Sequence, residues 1–185
     1  EPLCGAARKM LRAEVAQVVP AIVRLGDGAG DALIDGLGAR QGFVRQAFAL
    51  ALGELALRRA VVPLVHGLAA EESPVWRELA RVVGTFGMAS MRNVTRQLRD
   101  PKVPRERFVL TLAHLANHGC ENEVRKLAED RREHVAAMAQ EALTLRDRAE
   151  AQEAAARGEA PLPDDDPVLS FSRRFRAAAQ PVGED

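Results

Sequence analysis

Aromatic residues are scarce in this 185-residue chain: tyrosine is absent, Trp76 is the single tryptophan, and the aromatic share is 4%. Few side chains are therefore available to stack on nucleobases. Lys plus Arg and Asp plus Glu number 26 each, so no net charge attracts the protein to nucleic acid or to a membrane surface. Any such attraction has to come from a local patch.

Cysteine is also rare, and no targeting segment is visible. Cys4 and Cys120 are too few for a disulfide framework, and their spacing matches no zinc motif. We expect two free thiols, with one disulfide between them as the alternative. Because the chain begins at Glu1 rather than Met, we expect it to be processed or excised from a longer protein. In the absence of a visible signal peptide, the cytoplasm is the default compartment.

Long apolar runs and catalytic signatures are missing as well. The longest apolar run, residues 47–57, is interrupted by Glu54 and is far shorter than the roughly 20 residues of a membrane-spanning helix. There is no Gly-rich phosphate loop between a strand and a helix, no nucleophile elbow and no HExxH motif. We therefore predict no membrane span, no catalytic residue and no cofactor, and hence a protein that is not an enzyme.

An internal repeat is the strongest positive feature. Small residues follow apolar stretches at intervals of 30, 31 and 32 residues, namely Gly26, Ala56, Gly87 and Gly119. Apolar residues recur four, seven or eight, and eleven or twelve positions before each of them, which is the spacing of one helix face. This stripe consists of Ile22, Val19 and Val15, then Leu52, Phe48 and Val44, then Val83, Leu79 and Val75, then Leu115, Leu112 and Phe108.

A second, shorter helix is predicted after each small residue. Breakers such as Ser73-Pro74 and Asp100-Pro101 separate one pair of helices from the next. No hairpin this short can bury both its faces, so neighbouring hairpins must stack. We predict an all-α fold: a right-handed α-solenoid of about four helical hairpins plus a terminal helix over residues 1–148, followed by a C-terminal tail.

The second hairpin resembles a known repeat. Residues 43–68, FVRQAFALALGELALRRAVVPLVHGL, are similar to a HEAT repeat of the short, roughly thirty-residue bacterial type found in phycobilin-lyase-like proteins. The matching elements are Val44-Arg45, Ala47, Ala51-Leu52-Gly53, Leu55 and the run from Arg59 to Leu64, with Pro63 in the first turn of a helix. The resemblance covers residues 6–148 and is strongest in this hairpin.

Arginines accompany the predicted second helices. Arg92, Arg96 and Arg99 form a stripe in the third hairpin, while Asp27, Asp31 and Asp35 lie in the first. The HEAT resemblance implies that second helices line a concave groove, which would run from acidic to basic. We predict a protein–protein interaction scaffold or adaptor with an acidic protein or peptide as partner; a solvated charged face is the alternative. The candidate contacts are Arg58, Arg59, Arg92, Arg96, Arg99 and Arg125.

The resemblance also admits two other functions. Some DNA glycosylases resemble stacked HEAT-like repeats, which would make this chain a nucleic-acid-binding protein; bilin lyases would make it a ligand-binding protein or a lyase. The neutral net charge and the few aromatics make nucleic acid the weaker prediction. Trp76 falls at the start of a first helix, near the predicted core. Nothing in the sequence marks a tetrapyrrole pocket.

The stretch TLAHLANHGC, residues 111–120, holds two of the four histidines. His114, His118 and Cys120 have a spacing compatible with metal ligands. In the repeat register, His118 aligns with Leu25, Leu55 and Phe86, and His114 aligns with Ala21, Ala51 and Val82. Both histidines therefore fall at packing positions. We predict no metal site, and imidazoles that hydrogen-bond to the terminal helix or the tail.

The sequence changes character past Arg148. Residues 149–167 are polar, with an Ala-rich part and a Pro/Asp cluster, and are predicted to be a linker. Residues 168–185 begin with a short amphipathic segment that contains Phe171 and Phe175. We expect this segment either to dock on the open end of the solenoid or to be flexible and available to another protein.

Overall fold

The structure is a computed structural model that describes residues 18–157, a range in which it contains helices and no strand. The all-α prediction is thereby confirmed. The helices are α1 (residues 18–23), α2 (Gly30–Asp35), α3 (Gly42–Glu54), α4 (Val61–Ala70), α5 (Trp76–Thr85), α6 (Met88–Gln97), α7 (Arg105–Leu115), α8 (Glu121–Leu127) and α9 (Glu133–Ala156). None of the helices in this range is both long enough and apolar enough to cross a bilayer.

The chain divides into two compact units, with the boundary between Arg146 and Asp147. The first unit holds α1 to α8 and the larger part of α9, and everything that follows about packing concerns this unit. The second unit is described only over residues 147–157, which complete α9. Residues 149–156 of the predicted linker are thus helical, whereas the rest of the linker and the segment 168–185 lie outside the described residues.

The four small residues of the repeat share one backbone property. Gly26, Ala56, Gly87 and Gly119 have positive φ angles of 67°, 49°, 52° and 84°, and within residues 18–157 no other residue does. A positive φ stops a helix and turns the chain back, as at the ends of many helices. The predicted helix ends are therefore confirmed by the backbone geometry.

The predicted apolar stripes form the core. In the first helices, Leu52, Val83 and Leu115 are fully buried, four residues before the positive-φ residue in each case. In the second helices, Leu64, Val94 and Val124 are fully buried. Both sets follow helical spacing because a helix buries one stripe and leaves the opposite face in water.

Consecutive first helices pack closely, α3 against α5 and α5 against α7. A Cβ atom on Gly53 would lie 3.0 Å from Cγ1 of Val82, and a Cβ on Gly84 would overlap the Cβ of His114. Both glycines stand three residues before a positive-φ residue, and both partners stand five residues before the next one. The same contact therefore occurs in two successive hairpins.

A polar cluster closes the second hairpin at the opposite end of its first helix. Arg45 near the start of α3 donates from Nε and Nη2 to the two carboxylate oxygens of Glu71 after α4, at 2.6 and 2.7 Å. It also donates to the carbonyl oxygens of Ala39 and Arg40, while Ser73 donates to Glu71. Burial tends to raise the pKa of Glu71, but the hydrogen bonds from Arg45 and Ser73 outweigh this effect and hold that pKa below its ordinary value.

A left-handed backbone costs an alanine about 1 kcal/mol more than a glycine. We therefore expect Ala56→Gly to raise the free energy of unfolding by about 0.5–1 kcal/mol, since the relief of strain exceeds the entropy that glycine adds to the unfolded chain. Gly119→Ala is the reverse change at a site with open space around it, and it should lower stability by about 1 kcal/mol. Urea unfolding measures both, and shifts of the same sign for the two variants would contradict this account.

Gly84 and Gly67 are both helical glycines with opposite surroundings. A methyl group on Gly84 meets His114, whereas one on Gly67 in α4 meets nothing within 4 Å. We expect Gly84→Ala to cost about 3 kcal/mol by overpacking and Gly67→Ala to stabilise by about 0.5–1 kcal/mol through helix propensity. If Gly84→Ala were as stable as the parent in urea, the close approach of α5 and α7 would be disproved.

Candidate functional site

A groove of about 880 Å³ lies between α6 and α8. It is lined by Met88, Met91, Arg92, Asn93, Thr95, Arg96, Arg99, Glu123, Lys126, Leu127 and Asp130. Both bounding helices follow a positive-φ residue, Gly87 for α6 and Gly119 for α8. The three arginines of the predicted stripe, Arg92, Arg96 and Arg99, therefore share one surface.

The α6 wall of the groove carries the unpaired charge. Arg92, Arg96 and Arg99 are exposed, and within the described chain no carboxylate or other acceptor pairs with their guanidinium groups. The sequence from Met88 to Arg99 contains no acidic residue. The spacing of four residues puts Arg92 and Arg96 on the same face of α6, and Arg99 follows in the turn just after the helix ends.

The α8 wall is charged but internally neutralised. Lys126 Nζ lies 3.1 Å from both carboxylate oxygens of Glu123. Asp130 accepts hydrogen bonds of 2.8 and 2.9 Å from the side chain of Arg132, and these hydrogen bonds hold the pKa of Asp130 far below its ordinary range. The free positive charge of the groove therefore comes from α6.

The other predicted contact residues lie outside the groove lining. Arg59 binds Asp31 at 3.1 Å and donates to the carbonyl oxygen of Asp27, so part of the predicted acidic end is neutralised within the chain. Arg125 binds Glu121 at 2.6 Å, one helical turn away. Arg58 is exposed and stands just before α4. Sequence spacing alone did not reveal the Arg59 pairing, which spans 28 residues.

Apolar residues of the groove were missing from the predicted site. Met91 and Leu127 are recognisable in the sequence as packing residues, and both are buried. Met88 is not among the predicted contacts, yet it is 60% exposed in the groove lining. Its position directly after Gly87 was the one available signal.

A second pocket, of about 350 Å³, is lined by residues that include Leu37, Arg45, Glu71 and Leu79. The charged groups Arg45 and Glu71 are bound to each other and to neighbouring backbone groups, as described above. No unpaired charge from these two residues is thus offered to a ligand.

The two histidines of residues 111–120 have different environments, and one prediction about them is wrong. His118 is exposed rather than packed, and its register position is peripheral throughout, since Leu25 is 67% exposed and Leu55 and Phe86 are only half-buried. The reason is that this position directly precedes the positive-φ residue, where the chain leaves the helix stack. His114 is half-buried against Gly84, as a packing residue should be.

The predicted hydrogen bonds from these imidazoles to the terminal helix are not observed within residues 18–157. Instead, His134 on α9 contacts the carbonyl oxygen of Leu98 at 2.9 Å. In the same part of the chain, no three His, Cys, Asp or Glu side chains are arranged to hold a metal ion. Cys120 is a buried free thiol whose pKa is raised by burial and by Glu123; Cys4 and any pairing of it lie outside the described residues.

The pH dependence of stability tests the packing role of His114. Burial against α5, together with the charges of His118 and Arg81, lowers the pKa of His114, and Glu78 opposes this. The unfolded chain therefore binds the proton more readily, and stability falls as pH drops through the unfolded value of about 6.5. Between about pH 7.5 and pH 5.5 the parent should lose more stability in urea unfolding than His114→Gln does.

His66→Gln is the control for that titration, because His66 is exposed on α4. It should keep the pH dependence of the parent. A His114→Gln profile that matches the parent would contradict the packing role. Stoichiometric zinc in protein purified without added metal would contradict the prediction that residues 111–120 hold no metal site.

Comparison of this chain with protein-family models, with curated proteins and with solved structures finds no match.

Proposed function

We propose that this chain is a non-enzymatic scaffold or adaptor that binds an acidic segment of another protein in the groove between α6 and α8. The supporting observation is the row of three exposed guanidinium groups, Arg92, Arg96 and Arg99, without a carboxylate partner in the described chain. Nearby basic side chains such as Arg125 and Lys126 already pair with a carboxylate of the same chain. The three arginines are thus the cations of this surface that carboxylates of a second molecule can reach.

The row of arginines is unfavourable in the free protein. Like charges three and four residues apart on a helix each cost about 0.2–0.5 kcal/mol, and α6 contains no acidic residue to compensate. Carboxylates of a partner remove this repulsion and accept paired hydrogen bonds from the guanidinium groups. The binding of an acidic partner therefore explains the row of arginines better than a contribution of these arginines to folding stability does.

We also propose that the hairpins form a right-handed α-solenoid of HEAT-like repeats. Three observations support it: the regular spacing of the positive-φ residues, the packing of α3 on α5 and α5 on α7, and the packing of α4 on α6. In stacked repeats each unit contacts its neighbours, and equivalent helices line one common surface. A groove bounded by the second helices α6 and α8 agrees with this arrangement.

Nucleic acid is the second candidate partner, because exposed arginines also bind phosphates. The surroundings of Trp76 argue against it. Its side chain is 8% exposed, as the sequence predicted, and the guanidinium carbon of Arg77 lies 4.7 Å from the centre of a Trp76 ring. Trp76 is thus unavailable for stacking on a base.

Charge reversal in the groove tests the proposal. The probe is an acetylated, fluorescein-labelled peptide of alternating Glu and Ser, and binding is followed by fluorescence anisotropy at low salt. We expect Arg92→Glu combined with Arg96→Glu to weaken binding about tenfold or more, since two attractive contacts become repulsive. Circular dichroism should show unchanged helix content because both side chains are exposed.

The matched control reverses Arg24 and Arg40, which are exposed arginines outside the groove lining. This control makes the same change in net charge and should keep the affinity of the parent. Equal loss in both double variants would show that the probe responds to net charge alone and would contradict the groove. Tighter binding of a fluorescein-labelled DNA duplex than of the peptide at the same salt would favour the nucleic-acid alternative.

A further inference from the structure

Met88 is exposed at a position that is buried in neighbouring hairpins. It directly follows the positive-φ residue Gly87, and the residues at the same place in the adjacent hairpins are Leu57 and Cys120. Leu57 is 6% exposed and Cys120 is 1% exposed, whereas Met88 is 60% exposed. The third hairpin therefore turns outward an apolar side chain that its neighbours turn inward.

The exposed methionine lies in the arginine groove. Met88 lines it together with Met91 and Leu127, which are buried beneath its surface. Arg92, Arg96 and Arg99 follow along the same helix and extend just beyond its end. One surface thus offers an apolar spot and, next to it, three cations without intramolecular partners.

We infer that the partner segment carries a large apolar side chain beside its carboxylates, and that this side chain packs on Met88. The inference rests on the proposed function and specifies the partner. A flexible thioether adapts to apolar groups of different shapes, and covering it removes apolar surface from water. The residues of the partner segment that face the arginines are acidic, because their charge has to complement that of the guanidinium groups.

The spacing along α6 gives the layout of the segment. Met88 and Arg99 are eleven residues apart, which corresponds to about 16 Å along a helix axis. An extended peptide covers that distance in about five residues. Arg92 is one turn from Met88, or about two extended residues. The matching segment therefore has an apolar residue, then a carboxylate two positions later, then further carboxylates.

Two labelled peptides test the inference on the parent chain, without any mutation of it. The first is acetyl-Leu-Ser-Glu-Ser-Glu-Glu and the second is acetyl-Ser-Ser-Glu-Ser-Glu-Glu, each with a fluorophore at the carboxyl end. They have the same charge and differ only in the apolar side chain. We expect the Leu peptide to bind about tenfold more tightly, and to keep more of its affinity when salt is added.

A variant locates the contact. Met88→Ser should reduce the affinity for the Leu peptide to that for the Ser peptide, and leave the affinity for the Ser peptide unchanged. Val62→Ser is the matched control, because Val62 is 40% exposed on α4 and is not part of the groove lining. It should bind both peptides as the parent does.

The outcomes separate the two proposals. Equal affinity of both peptides for the parent, with loss on reversal of Arg92 and Arg96, would overturn the apolar contact and keep the acidic partner. Binding of neither peptide would overturn both. If the parent protein self-associates in sedimentation and Met88→Ser does not, Met88 packs against a second copy of the chain. That result would overturn the inference.

Discussion

The close approach of α5 to its two neighbouring first helices is the constraint on which the groove depends. Gly53 and Gly84 have no side chain where Val82 and His114 of the next first helix come near, so the Val82 side chain packs against the backbone of α3 and His114 packs against the backbone of α5. Each second helix then follows its first helix after one left-handed residue. Because α5 and α7 are held in contact, α6 and α8 are brought near enough to border one groove.

The repeat and the core were readable from the sequence. A helix that buries one face needs apolar residues at intervals of three and four, and a tight turn needs a small residue. In a repeat, both requirements therefore produce a periodic pattern of residue types in the sequence. This pattern predicted the end of a helix at Ala56, although alanine is an unusual residue at positive φ. The three arginines that line the groove were recognised separately, from their spacing of four and three residues.

The rest of the site depends on contacts between helices, which spacing does not encode. The pairing of Arg59 with Asp31 and that of Asp130 with Arg132 depend on which side chains the fold brings together. The outward Met88 and the exposed His118 have the same origin, because a register position implies burial only where a neighbouring element covers it. The alignment of His118 with Leu55 and Phe86 was correct, yet that position is nowhere fully covered.

The Arg45–Glu71 pair has a consequence for how this sequence can change over generations. Glu71 is almost fully buried and its charge is balanced by one guanidinium group. Loss of Arg45 leaves the buried Glu71 carboxylate without its cation, which typically costs about 3–5 kcal/mol, while replacement of both residues by apolar ones can be neutral. The two positions therefore have to be inherited and replaced together, although 26 residues separate them. Homologous chains, when aligned, should carry this pair as a unit or lack it as a unit.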